Sequence, residues 1–144
     1  MNKAKQQKIE INEQHPSVLI MAYGTLRLNQ GNWSYLLKDK SEWLGTYQTE
    51  PIFTMQGRHS GFPIVFRGGE TRITYDLFRI TDPKVLESCH RLEGSSGIVD
   101  DENGWYKLTR LYNEEYGESF MYTQIGIPSK ASVIESGDWE DKNI

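Results

Sequence analysis

The sequence has almost no cysteine and no long apolar segment. Cys89 is the single cysteine among 144 residues, which excludes an internal disulfide and fits a reducing cytoplasm. No apolar run approaches the roughly 20 residues that span a bilayer. The first eight residues lack the apolar segment of a secretory signal. We therefore expect a cytoplasmic protein with no membrane partner.

Basic charge is also scarce. The chain carries 16 Lys and Arg against 20 Asp and Glu, a net charge of -4, and no basic patch alternates with aromatic residues, so we expect no nucleic-acid partner. Its histidines, His15, His59 and His90, have no metal-ligand spacing with one another or with Cys89. Phosphate-loop and dinucleotide glycine patterns are missing. We therefore expect no metal and no cofactor.

What is present is the composition of one globular domain, with 37% hydrophobic and 25% charged residues. Residues 1–16 are polar and predict a flexible N-terminal arm, or in part an edge strand through Ile9 and Ile11. Residues 17–144 are predicted to form the single domain, as a monomer or a weak dimer.

The pattern along the chain predicts many strands and few helices, which indicates an α+β domain built on a curled sheet. Gly68-Gly69 is interpreted as a hairpin turn into a strand over residues 71–80. The predicted strands cover residues 18–23, 43–47, 52–55, 62–66, 71–80, 105–112 and 119–123.

Two short helices are predicted between these strands. Trp33, Leu36 and Leu37 have helical spacing, which predicts a helix over residues 32–38 with Asn29 or Asn32 near its cap. The second helix begins at Thr81-Asp82-Pro83, with a hydroxyl cap and a first-turn proline, and ends at Gly94.

Tyr23-Gly24-Thr25-Leu26 directly follows the apolar run of residues 18–22. A strand that breaks at such a turn exposes successive backbone N–H groups, and a glycine lets a ligand approach them. The turn can therefore hold a carboxylate or another anion, although strands also end in glycine for steric reasons alone.

Glu93 closes the second helix on the side of its apolar stripe, four residues after Cys89 and seven after Leu86. Partial burial and the negative end of the helix dipole both raise the pKa of a carboxyl group there and make it a better base. The alternative is a glutamate that turns back to solvent. Cys89 is interpreted as a buried structural thiol.

Three tyrosines, Tyr75, Tyr106 and Tyr122, lie on predicted strands. Each is interpreted as a core residue that can also present its hydroxyl to a pocket.

These segments together resemble the gamma-glutamylcyclotransferase-like superfamily, especially its short gamma-glutamylamine cyclotransferase branch. The resemblance runs from about Val18 to Trp139. Its motifs, in order, are Tyr23-Gly24-Thr25-Leu26, Trp43-Leu44-Gly45, Phe62-Pro63-Ile64-Val65, Thr74-Tyr75-Asp76-Leu77, Arg91-Leu92-Glu93-Gly94, Trp105-Tyr106 and Ser136-Gly137-Asp138-Trp139.

The resemblance implies a small mixed β-barrel flanked by short helices and an enzyme that cyclises a small gamma-glutamyl compound, a gamma-glutamylamine or a gamma-glutamyl amino acid. The α-amine attacks the γ-carbonyl and gives 5-oxoproline and a free amine, with Glu93 as the general acid/base. The amides of Gly24, Thr25 and Leu26, with Tyr23 beside them, hold the glutamyl end. The substrate-binding residues expected are Tyr23, Gly24, Thr25, Leu26, Tyr106 and Tyr122. No metal or covalent nucleophile is needed, because ring closure is intramolecular.

Three departures from the family pattern stand out. Cys89-His90 replaces a common Leu-Asp pair, the basic residue expected after the strand tyrosine must be Lys107 or Arg110, and the loop over residues 95–104 is long.

Two other functions remain open. One is a non-catalytic module on the same fold that binds a carboxylate metabolite or a peptide end. The other is an interaction protein that docks a partner through exposed aromatic residues and the acidic segment from Trp139 to Ile144.

Overall fold

A computed structural model describes residues 7–57, 62–128 and 133–139. Within these ranges the chain alternates short strands with two helices. In chain order the elements are β1 (Val18–Ala22), α1 (Gly31–Leu36), β2 (Glu42–Gln48), β3 (Phe53–Gly57), β4 (Pro63–Arg67), β5 (Thr74–Ile80), α2 (Pro83–Leu92), β6 (Tyr106–Asn113) and β7 (Gly117–Gln124).

Five of the strands form one mixed sheet in the order β2-β5-β1-β7-β6. In this sheet β1 is antiparallel to β5 and parallel to β7. Strands β3 and β4 form a separate two-stranded sheet, and β4 packs beside β7. The predicted α+β class and fold are thus confirmed, although hydrogen bonds between the described strands do not close the sheet into a complete barrel.

The central strand β1 is buried on both faces, which explains its continuous apolar sequence. Ile20 and Ala22 pack toward α2 with Leu86 and Cys89. Met21 belongs to the cluster on the other face, which includes side chains of β3 and β4. The sheet is therefore the middle layer between α2 and the β3–β4 pair, and β1 ends between these two outer layers.

The predicted hairpin at Gly68-Gly69 is wrong in its partner. Strand β5 pairs with β1 and β2, not with β4. The turn instead folds back onto β3, where Thr71 and Phe53 form a bridge. Gly69 allows this return, because a Cβ there would lie 2.6 Å from the carbonyl oxygen of Phe53.

In both helices the capping residue is a neighbour of the predicted one. Gln30 is the N-cap of α1, and its side chain makes no capping hydrogen bond to the helix. Asp82 caps α2. Its carboxylate accepts a hydrogen bond from the backbone N–H of Lys84 at 2.9 Å. At the other end of α2, Glu93 is the C-cap and Gly94 has a φ of 61°, so the predicted helix end is confirmed.

The predicted N-terminal arm packs against the domain over residues 7–9. The backbone N–H of Ile9 donates to the carbonyl of Gly97 at 2.7 Å, and that of Val99 donates to Gln7 at 2.9 Å. Ile9 is buried in the core beside α2. Lys8 forms an isolated β-bridge with Ile98, no strand is formed through Ile9 and Ile11, and residues 1–6 lie outside the described ranges.

Trp139 does not belong to an exposed docking segment. Its side chain is buried in the cluster between the sheet and the β3–β4 pair. The remaining residues of the proposed acidic segment, 140–144, lie outside the described ranges. Across the described parts of the chain, neither helix has the length and apolar character needed to cross a membrane.

Candidate active site

A cavity of about 530 Å³ opens where β1 and α2 end. The end of β1 supplies the turn that follows it, the end of α2 supplies its C-cap, and β6 and β7 supply aromatic residues. All seven predicted site residues line this one cavity: Tyr23, Gly24, Thr25, Leu26, Glu93, Tyr106 and Tyr122.

The turn after β1 presents backbone donors to the cavity. The N–H of Arg27 donates to the carbonyl of Gly24 at 2.9 Å and closes the turn. The N–H groups of residues 24–26 donate to no backbone or side-chain acceptor among the described residues. Gly24 is also needed for packing, since a Cβ there would lie 3.0 Å from the Pro63 ring. Successive unpaired N–H groups of this kind are able to donate hydrogen bonds to an anion.

A buried ion pair anchors this turn to the sheet. Arg27 donates to Asp76 on β5 at 3.1 Å and to Asp138 at 2.8 Å. Asp76 also accepts hydrogen bonds from the backbone N–H of Leu28 at 3.0 Å, from Trp43 at 3.2 Å and from Thr46 at 2.6 Å. Four donors therefore satisfy one carboxylate and fix the turn relative to β2 and β5.

Asp76 also connects residues from three of the sequence motifs in the folded structure. Trp43, Asp76 and Asp138 come from separate motifs and meet around Arg27. Sequence reasoning missed Arg27, because no local signal links it to acidic residues 49 and 111 positions away.

Glu93 lines the same cavity as the turn after β1. As C-cap of α2 it has φ -84° and ψ -2°, and the left-handed Gly94 follows it directly. Burial raises the pKa of its carboxyl from 4.5 to about 7, with no hydrogen bond or charge among the causes. Gly94 lets Trp105 pack here, since a Cβ would lie 2.8 Å from its ring. Glu93 is thus a desolvated carboxyl that titrates near neutral pH.

Two tyrosine hydroxyls make buried hydrogen bonds beside Glu93. Tyr23 donates to the carbonyl oxygen of Tyr122 at 2.7 Å. The hydroxyl of Tyr122 lies 2.6 Å from Nδ1 of His90. Burial, with Glu93 as a smaller cause, raises the pKa of both tyrosines well above its usual value. Both therefore remain protonated at neutral pH.

The other side chains considered in the sequence have structural positions. Tyr75 does not line the cavity, and its hydroxyl accepts a hydrogen bond from Asn113 at 2.9 Å. Cys89 is fully buried, and this burial, followed by the charge of Glu93, raises the pKa of its thiol to about 12. A thiol in this state is a poor nucleophile.

Neither predicted basic residue lines the cavity. Lys107 pairs with Glu102 at 3.2 Å, and Arg110 pairs with Glu118 at 3.1 Å. The cation that does line it is Arg91, two residues before Glu93. Arg91 belongs to the Arg91-Leu92-Glu93-Gly94 motif, so the sequence contained the signal for this cation.

Sequence reasoning also missed the side chains around the cavity mouth. Asn32 on α1 donates to the hydroxyl of Thr25 at 2.7 Å and so braces the turn. Three exposed apolar side chains complete the lining: Phe62, Leu92 and Trp105.

The described residues include no group of three or more His, Cys, Asp and Glu side chains that could hold a metal ion. His15 is exposed, His90 is buried against Tyr122, and His59 lies outside the described ranges.

The fold and the cavity define a class of site in which a desolvated carboxyl shares a cavity with backbone N–H groups that are unpaired among the described residues. A family model described as gamma-glutamyl cyclotransferase, AIG2-like, matches residues 20–141. The chain belongs to this family, and the predicted resemblance is confirmed. The family is one of cyclotransferase-type proteins. A comparison with curated proteins finds no significant match.

Solved structures share the fold at low sequence identity. Uncharacterized protein PH0828 from Pyrococcus horikoshii has a TM-score of 0.65 and 22% identity, with 85% of this chain and 90% of that chain covered. Protein ytfP from Escherichia coli has a TM-score of 0.64 and 24% identity, with 88% and 100% covered. Allophanate hydrolase from Kluyveromyces lactis has a TM-score of 0.60 and 10% identity, with 86% and 20% covered. These likenesses concern the fold alone.

Proposed function

We propose that the protein cyclises a small gamma-glutamyl compound to 5-oxoproline and a free amine, with Glu93 as the general acid/base. One observation carries the proposal: a carboxyl with a pKa of about 7 shares a cavity with the unpaired N–H groups of residues 24–26. The first can move a proton at neutral pH, and the second can hold a carboxylate.

The reaction needs only one proton shuttle. The neutral α-amine of the ligand attacks its own γ-carbonyl carbon, and a new carbon–nitrogen bond closes the five-membered ring. Glu93 takes a proton from the attacking nitrogen and gives it to the leaving nitrogen as the old carbon–nitrogen bond breaks. A carboxyl with a pKa of about 7 is suited to both steps, because it accepts and returns a proton at similar cost near neutral pH.

The turn after β1 is the proposed holder of the glutamyl α-carboxylate. Its N–H groups are fixed before the ligand arrives, because Arg27 and Asp76 anchor the segment and Asn32 braces Thr25. A pre-formed donor set binds a charged group without reorganisation and places the α-amine for attack on the γ-carbonyl. The same N–H groups can also stabilise the negative charge that develops on the γ-carbonyl oxygen during the attack.

The cavity mouth supports a leaving group that is an amino acid rather than a simple amine. Arg91 is exposed, lines the cavity and forms no ion pair with the described residues. Its guanidinium can pair with the carboxylate of a leaving amino acid. The exposed rings of Phe62 and Trp105 beside it can contact an apolar side chain.

The experiment is release of 5-oxoproline from gamma-glutamyl amino acids and from gamma-glutamyl-ε-lysine. We expect Glu93→Gln to lower the rate by about 100- to 10,000-fold, the range for loss of a general acid/base. Glu87→Gln is the matched control, since it makes the same change on the same helix away from the cavity. Equal rates for Glu93→Gln and the wild type would remove Glu93 from the mechanism. No 5-oxoproline, with ligand binding retained, would favour the non-catalytic binding module.

The pH profile gives a second test of Glu93. Only the carboxylate form can accept a proton, so kcat/KM should rise with pH through about 7, the pKa of this group. Its acid limb should be missing from the residual activity of Glu93→Gln. An acid limb centred near 4.5, the ordinary value, would contradict the role of burial.

A further inference from the structure

A buried chain of three polar groups runs from the cavity to the N-terminal segment. Tyr122 meets Nδ1 of His90 at 2.6 Å, and Nε2 of His90 meets the carbonyl oxygen of Ile9 at 3.0 Å. Both side chains are almost fully buried, with 2% of His90 and 3% of Tyr122 exposed. Because burial excludes water from these two side chains, each hydrogen atom has a defined position.

The direction of each bond follows from the carbonyl at its end. A carbonyl oxygen can only accept, so Nε2 of His90 carries the hydrogen. Burial lowers the pKa of His90, so the ring is neutral at neutral pH. Nδ1 is then unprotonated and can accept a hydrogen bond through its lone pair. The hydroxyl of Tyr122 must then donate to Nδ1.

Packing holds His90 in this arrangement. A Cβ on Gly97 would lie 2.6 Å from Cδ2 and 2.7 Å from Nε2 of the imidazole, so only glycine admits the ring here. The carbonyl of Gly97 also accepts the N–H of Ile9 at 2.7 Å, which sets the acceptor that His90 uses. The N-terminal segment thereby contributes to the orientation of a residue of the cavity wall.

Tyr23 has the same restriction. Its hydroxyl donates to the carbonyl of Tyr122 at 2.7 Å, so its hydrogen is also committed. Both phenol oxygens can therefore accept further hydrogen bonds but cannot donate them. Both tyrosines and Glu93 line the same cavity as the turn over residues 24–26.

We propose that His90 is a positioning residue that makes the Tyr122 oxygen an acceptor for the α-amino group of the gamma-glutamyl ligand. This inference rests on the proposed function and assigns the two ends of the amino acid head group: the α-carboxylate lies on the turn and the α-amino group on the tyrosine side. A Tyr122 oxygen that can only accept further hydrogen bonds selects for a ligand with an N–H donor on its α-carbon.

The test compares two ligands that differ only in this group. One is a gamma-glutamyl amino acid and the other is its glutaryl analogue, which lacks the α-amino group. Binding is measured by calorimetry in the Glu93→Gln background, where turnover is expected to be slow. We expect Tyr122→Phe and His90→Leu each to weaken binding of the gamma-glutamyl ligand by about tenfold, since a hydrogen bond to its α-amino group is lost. The glutaryl analogue should bind each variant as it binds the parent.

The conservative variant His90→Asn separates positioning from packing. Its amide oxygen can take the place of Nδ1 as acceptor, so it should restore selectivity for the α-amino ligand relative to His90→Leu. Equal losses for both ligands, or no loss for either, would overturn the proposal. Production of 5-oxoproline without this selectivity leaves the proposed function intact and removes only the role of His90. Selective binding without production of 5-oxoproline would remove the proposed function and leave the role of His90 intact.

A direct readout needs no ligand. Nitrogen-15 NMR distinguishes a protonated from an unprotonated ring nitrogen, and we expect Nε2 of His90 to be protonated and Nδ1 unprotonated at pH 7. A hydrogen on Nδ1 would overturn the proposal, whether or not any variant folds.

Discussion

Two carboxyl groups in this protein have opposite surroundings. Asp76, 3% exposed, accepts hydrogen bonds from four groups, including the guanidinium of Arg27. Glu93, on the cavity wall, has burial as the only cause of its pKa shift. A carboxylate whose oxygens are fully used can hold a turn in place, while one left without donors is free to exchange a proton.

The two arginines near the site repeat this contrast. Arg27 is 5% exposed and bridges Asp76 and Asp138, so its charge stabilises the fold. Arg91 is exposed at the cavity mouth. The hydrogen-bonded pair of Asp76 and Arg27 thus holds the turn, while Glu93 and Arg91 line the cavity.

The largest effect on stability is expected for Asp76→Asn. The substitution keeps the shape but leaves Arg27 with a weaker buried partner and turns an amide toward its donors. We expect the free energy of unfolding to fall by about 3–5 kcal/mol, the cost of breaking a buried pair. Urea denaturation measures it, and Glu42→Gln is the control. That exposed residue pairs with Arg79 at 2.7 Å, and its loss should cost less than about 1 kcal/mol. Equal urea midpoints for Asp76→Asn and the wild type would contradict the difference drawn between Asp76 and Glu93.

Glu93→Gln should behave oppositely and increase stability above pH 7. Between pH 4.5 and about 7 the folded protein keeps a proton on Glu93 that the unfolded chain releases. The wild type therefore loses stability as pH rises through this range, by up to about 3 kcal/mol. Glutamine removes this loss.

The measurement is the difference in unfolding free energy between Glu93→Gln and the wild type at pH 4 and pH 8. We expect it to be near zero at the lower pH and positive at the higher one. A constant difference would mean that burial does not shift the pKa of Glu93. Glu87→Gln should show no such trend.

Arg91→Gln should have the smallest effect, on substrate preference. The wild type should cleave a gamma-glutamyl amino acid faster than the same compound with its terminal carboxylate amidated. We expect the substitution to lower that preference in kcat/KM about fivefold, since an exposed ion pair contributes about 1 kcal/mol. Lys107→Gln, which removes a cation outside the cavity, should keep the preference. An unchanged preference in Arg91→Gln would exclude the guanidinium from leaving-group recognition.

Much of the local structure could be predicted because it depends on near neighbours. The buried run before Tyr23 predicted β1, and Gly94 predicted the end of α2. The pairing of β5 could not be predicted from Gly68-Gly69, because both a hairpin and a return to β3 satisfy a glycine turn. Thr71 joined Phe53 instead, since β5 is held between β1 and β2.

The site was predictable where the motif itself supplied the chemistry. The turn over residues 24–26 and Glu93 share one cavity as expected, and their roles in catalysis remain predictions. The pairing of Arg27 with Asp76 was missed because the two residues are 49 positions apart in the chain. His90 was noted only as a departure, since its function depends on a carbonyl 81 residues earlier.

The sequence by itself determined which groups the protein can use: an apolar strand that breaks at a glycine turn, and a helix whose apolar side ends in Glu93. These follow from periodicity and end signals within a few residues. Only the tertiary structure decided which groups are satisfied and which are left open. That depends on contacts across the whole chain, because a buried carboxyl or hydroxyl takes its protonation and direction from the partners that folding brings to it.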